Sequence, residues 1–157
     1  MEFYEKLPRN KKEFALFLLV ISLISVNIIA PLITCFEMGF SFSTWYMTLQ
    51  SFPILWIVVI LLVLLTHKPA EYLSKKITAE GDSFKTTIVC NTLCTVFLLS
   101  ILLTVIGSWI GTKNISLEPV NHFFYKWPRN FTIALVVELI IAQPIARSLM
   151  VIIHKKK

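Results

Sequence analysis

Phe131-Thr-Ile-Ala-Leu-Val-Val-Glu-Leu-Ile-Ile-Ala-Gln-Pro-Ile-Ala-Arg-Ser-Leu-Met-Val-Ile-Ile153 carries two charged side chains, Glu138 and Arg147, in an otherwise apolar run. A transmembrane helix needs roughly 20 mostly apolar residues to cross about 30 Å of hydrocarbon, so this stretch is long enough to span a bilayer. Three further stretches of the same kind stand upstream, Phe14–Phe36, Leu49–Thr66 and Phe84–Ile110. The shortest reaches the required length when His67-Lys68 is counted with it. Spans are therefore expected at about 14–36, 49–68, 84–110 and 128–153.

Composition agrees. With 56% hydrophobic and 15% charged residues and a mean hydropathy of +0.75, a chain of 157 residues does not fold as a water-soluble globule. Backbone polar groups in lipid must be satisfied internally, so the expected fold is an all-α integral membrane protein with four transmembrane helices. The first span follows Lys6, Arg9, Lys11 and Lys12 as a secretory signal would. It is too long for an h-region and no small-x-small cleavage site follows, which makes it an anchor.

The halves read as two copies of one two-helix unit at an offset of 75 residues. At that spacing Phe52-Pro53 falls on Trp127-Pro128, Pro69 on Pro144, Ser25 on Ser100 and Ser41 on Ser116. The units are expected at 1–78 and 79–157. Orientation follows from the basic residues. Lys6, Arg9, Lys11, Lys12, Lys68, Lys75, Lys76, Lys85, Arg147, Lys155, Lys156 and Lys157 fall on one side, against Lys113, Lys126 and Arg129 on the other. The positive-inside rule then places both termini and the central loop in the cytoplasm, with the repeats parallel to each other. Trp45, Trp56, Trp109 and Trp127 are placed at or near the outer ends of the spans.

The net charge of +6 does not point to nucleic acid, because its basic residues are split into short clusters beside spans. Lys75-Lys76 and Lys155-Lys156-Lys157 instead attract anionic headgroups at the inner face, by about 1 kcal/mol per residue. Glu71 and Lys75, at i,i+4 spacing after Pro69, indicate a helix continuing past the bilayer.

Chemistry is sought among polar groups inside the spans, each of which costs free energy to bury. Glu138 near the middle of the fourth span is the clearest, since a bare carboxylate there demands a proton or a donor. Arg147, nine positions on, lies on the opposite side of the same helix, so the partner must come from another helix. Asn27, at similar depth in the first span, is the first choice. Arg147 either snorkels to the inner headgroups or forms an anionic site with Asn91 of the third span. Pro144 is expected to bend the fourth helix and free the carbonyl near Ile140, which Gln143 satisfies or leaves to line a cavity. Pro69 is expected to repeat the bend in the second span.

Cys35, Cys90 and Cys94 lack Cys-x-x-Cys spacing and read as inert, and His67, His122 and His154 are scattered. Neither a metal site nor a cofactor is expected. Gly107 and Gly111 would permit close helix contact within or between subunits. No nucleophile elbow, phosphate-cradling loop or carboxylate pair occurs, so an enzyme is not expected.

Phe123-Phe-Tyr-Lys-Trp-Pro-Arg-Asn-Phe-Thr-Ile-Ala134 followed by Ala142-Gln-Pro-Ile-Ala-Arg147 resembles the bacterial domain-of-unknown-function family 2798, short membrane proteins built on a two-helix unit. Trp45 through Leu73 carries the pattern more loosely, with Phe52-Pro53 and Pro69-Ala70. Leu55 there stands in place of Asn130 and Tyr72 in place of Arg147. The resemblance implies the two-helix unit in tandem and lends no catalytic or substrate residue.

Two readings follow. In one, the chain is a small transporter or a protein binding a small molecule or lipid in the cell membrane, with Glu138, Asn27 and the Pro144 bend beside a midplane path. Four helices leave little room for a path, which implies a homodimer. In the other, it is an accessory protein serving a membrane-protein partner, and its polar residues only fasten helices.

Overall fold

The computed structural model describes residues 7–155; Lys6, Lys156 and Lys157 of the expected basic clusters lie outside them. All of the described secondary structure is helical: α1 (Lys11–Met38), α2 (Phe42–Ile77), α3 (Phe84–Thr112), a short α4 (Glu118–Asn121), then α5 (Phe123–Val137), a π-helical turn (Glu138–Ala142) and α6 (Gln143–Lys155). The last three form one continuous span, Phe123–Lys155, and with α1, α2 and α3 it is long and apolar enough to cross a membrane.

Each start is set by a polar side chain just ahead of an apolar run. Asn10 accepts the Glu13 N–H at 2.9 Å, Ser41 that of Thr44 at 3.1 Å and Ser83 that of Thr86 at 3.2 Å. Such caps satisfy otherwise orphaned donors and contribute about 1 kcal/mol each. At the end of α1 the chain turns through Gly39, whose φ of 95° suits a residue without a side chain, and the Gly39 N–H closes on the Cys35 carbonyl at 2.9 Å.

The spans pack as a ring in which α1 touches α2 and the fourth span, and α3 touches α2 and the fourth span. Val26, Phe52, Leu55, Val59 and Val63 form the core between α1 and α2, with Leu99 and Leu103 of α3 against it. Phe17 of α1 forms a second core with Ala146 and Met150 of α6. Contacts at the ends define two faces. Phe14 and Glu13 meet His67 and His154 at what is here termed the terminal face, and Glu37 meets Arg129 at the distal face. Only 28–33% of each apolar window is buried within the chain, so most of the span surface must meet lipid or another protein.

The helices overrun the expected spans. The distal connection, expected over Glu37–Thr48, shrinks to Gly39-Phe40-Ser41, because the Ser41 cap starts α2 well before the apolar run does. Glu71 and Lys75 pair at 2.7 Å on the final turns of α2, which runs on to Ile77 as expected. Two of the four tryptophans make contacts inside the bundle. Trp127 donates to the Ser100 hydroxyl at 2.9 Å, and Trp56 packs against the core of α1 and α2.

Candidate functional site

Glu138 sits near the midpoint of the fourth span and Ser25 near the midpoint of α1, both buried. The Ser25 hydroxyl donates to Glu138 Oε1. Asn27, the expected donor, is exposed and turns its amide back onto the Leu23 carbonyl at 2.7 Å. Two residues along a helix are a turn of about 200°, so correct depth placed the amide on the wrong side. Among the described residues no basic side chain pairs with Glu138.

The carboxyl opens the π-helical turn. Pro144 has no N–H to give the Ile140 carbonyl, and its ring would crowd that carbonyl in a regular helix. The upstream backbone widens instead, and the Gln143 N–H reaches back five positions to the Glu138 carbonyl. At Pro69, by contrast, α2 continues without a π turn. Gln143 does not serve the Ile140 carbonyl through its side chain. Its Oε1 accepts from Arg147 at 2.9 Å, and the Arg147 guanidinium lies 5.6 Å from the centre of the Phe17 ring. Arg147 is half-buried where α6 faces α1. It also borders an open groove of about 490 Å³ with Pro144, Ser148, Val151 and Ile152. Asn91 is not brought into that site, because α3 meets the fourth span along α5 and the π turn.

Three features escaped the sequence. At the terminal face Glu13 Oε2 lies 3.0 Å from His154 Nε2, close enough for the ring N–H to donate, and both side chains are buried. The same carboxylate accepts the Arg9 backbone N–H at 2.8 Å. The Asn10-x-x-Glu13 spacing is a capping signal that could have marked Glu13; nothing local marks His154. At the distal face Glu37 accepts from Arg129 at 3.0 Å, with Lys126 at 3.8 Å. Beneath it Asn130 accepts from Arg129 and donates to the Thr104 hydroxyl at 3.3 Å, and Thr104 donates to the Ser100 carbonyl at 2.7 Å.

A side chain added at Gly107 or Gly111 would meet nothing within 4 Å, so neither glycine serves a close contact inside this chain. Cys35, Cys90 and Cys94 are free thiols.

A bundle of four membrane-length helices with polar cross-links at mid-depth and at both rims defines a multi-pass membrane protein. Residues 83–154, from the start of α3 almost to the end of the fourth span, match the family model "Domain of unknown function (DUF2798)". No curated protein and no solved structure matches the chain.

Proposed function

We propose that this protein is a small transporter, or a membrane protein that binds a small solute, in which Glu138 takes up and releases a proton or a cation. The observation that carries the reading is the carboxyl at mid-span whose described partner is one serine hydroxyl. A carboxyl at this depth either keeps its proton or meets a compensating charge, because an unpaired charge in hydrocarbon is costly. One neutral hydroxyl orients the carboxyl without neutralising it. The π turn supports the same reading, as such turns recur where a helix presents functional groups.

The setting belongs to the proposal. The chain is a tandem of two parallel two-helix units, of which the second matches the family model. Both termini and the Thr78–Ser83 connection face the cytoplasm of a bacterial cell, where the terminal basic residues lie against anionic headgroups. Two copies associate, because only 28–33% of each apolar window is buried within one chain and the remaining apolar surface is open to a partner. Gln143 and Arg147 line the terminal approach to the carboxyl, whereas Asn27 and Asn91 stand outside it. The protein is not an enzyme.

The test is flux. Purified protein in liposomes loaded with a pH-sensitive dye is given a proton gradient, with and without an opposing sodium or potassium gradient. Wild type should dissipate the gradient faster than empty vesicles, and Glu138→Gln should not. A fully active Glu138→Gln variant overturns the proposal. One observation favours the accessory reading instead: the Ser25–Glu138 bond ties the first half of the chain to the second, as helix glue would. That reading expects no flux from either protein and capture of a membrane partner by both.

A further inference from the structure

Glu13, Ser25 and Glu37 stand at equal intervals of 12 residues along α1, and each meets the fourth span. Glu37 meets the Arg129 guanidinium at 3.0 Å, Ser25 the Glu138 carboxyl, and Glu13 the His154 imidazole at 3.0 Å. At 1.5 Å per residue the two acidic contacts lie about 18 Å to either side of the serine along α1. This seam is clasped at both faces of the bundle, and its mid-depth cross-link is the carboxyl.

The opposite seam, between α2 and α3, is the control. At the 75-residue offset Ser100 stands for Ser25 and Val63 for Glu138. Val63 is buried in the apolar core, and among the described residues no ion pair joins α2 to α3. Carboxyl and clasps thus occur together in one seam and are both missing from its counterpart. The clasps also differ in wetness. Side-chain exposure is 8% for Glu13 and 2% for His154, against 29% for Glu37 and 28% for Arg129. The distal clasp is already in contact with solvent and opens at lower cost.

We propose that the seam between α1 and the fourth span is the route by which a monovalent cation, a proton or an alkali ion, reaches Glu138, with Glu37–Arg129 as the distal gate and Glu13–His154 as the terminal gate. The inference rests on the reading of Glu138 as a transport carboxyl. Opening one clasp at a time exposes the carboxyl to one face, and a simultaneous opening would leave a leak.

The test follows access to the seam and does not depend on flux. Ser25→Cys is placed in a chain with Cys35, Cys90 and Cys94 changed to Ser, reconstituted in liposomes, and treated with a membrane-impermeant cationic thiosulfonate from each face. Glu37→Gln should raise the labelling rate several-fold from the distal face alone, and Glu13→Gln from the terminal face alone. The exchanged pair Glu37→Arg with Arg129→Glu should return labelling to its slow value. Rates unchanged in both variants, or raised equally from both faces, overturn the gates. Amide hydrogen exchange of residues 137–143 in single Glu37→Gln and Glu13→Gln variants with native cysteines gives the second readout. Faster exchange supports the gates, and unchanged exchange overturns them even if the cysteine chain fails to fold. Face-selective labelling without Glu138-dependent flux keeps the gates and refutes the transport reading; Glu138-dependent flux without it does the reverse.

Discussion

Ser25 and Glu138 are 113 residues apart in sequence and joined by one hydrogen bond at the mid-length of their helices. The bond orients the carboxyl and links the two halves of the chain, and substitutions separate these roles. Glu138→Gln keeps an oxygen that accepts from Ser25, so thermal unfolding in detergent should stay close to wild type while flux is lost. Glu138→Leu removes the acceptor as well and should lower stability by roughly 0.5–2 kcal/mol, the range of interhelical hydrogen bonds in membranes. Equal melting of the two variants would deny the bond a structural share.

The two rim clasps should differ in coupling energy. A double-mutant cycle with Glu13→Gln and His154→Gln should return the larger value, because removing one partner of a buried pair strands the other. The cycle with Glu37→Gln and Arg129→Gln should give about 1 kcal/mol or less, as expected for a pair in contact with solvent. Added salt should shrink the second value more than the first.

Pro144→Ala restores an N–H opposite the Ile140 carbonyl and removes the cause of the π turn. Closing the turn rotates everything before it by about 100° relative to α6, which carries Glu138 away from Ser25. Thermal stability should hold or rise, and flux should fall toward that of Glu138→Gln. Slower amide exchange over residues 140–144 would report the closed turn; unchanged exchange would mean that the turn does not depend on the proline.

Ser83→Ala removes the acceptor that caps α3 and should cost about 1 kcal/mol. Ser148→Ala is the comparison. Its exposed hydroxyl bonds only the Pro144 carbonyl of its own helix, at 2.8 Å, so the change should stay within about 0.5 kcal/mol. Chemical unfolding of both variants in one detergent measures the difference.

Helix count and class were legible from the apolar runs, as was the extension of α2 through Glu71 and Lys75. Glu138 was legible too, since one carboxylate among so many apolar neighbours stands out. Its partner was not, because residue counting gives depth while rotation about the helix axis depends on packing against a neighbour. Asn27 has the stronger hydrogen-bonding group, yet Ser25 has the inward side. Glu13 and His154 were obscured for a different reason. Near the ends of spans, charged and imidazole side chains ordinarily read as solvated, and only the meeting of the first and last helices buries them. The start of α2 was missed because Ser43, Thr44 and Gln50 dilute the apolar signal ahead of the run, although Ser41 carried the cap.

With 36 residues, α2 is about 54 Å long, whereas the hydrocarbon core of a typical bilayer measures about 30 Å. Tilt alone does not hide the difference, so part of α2 must reach beyond the hydrocarbon, and the charges of Glu71, Lys75 and Lys76 favour its last turns for that part. Those charges are costly to draw into hydrocarbon, so they act as a float line that resists sinking of the end of α2 when the membrane thickens. The bundle thus carries its own waterline, written into the last turns of its longest helix.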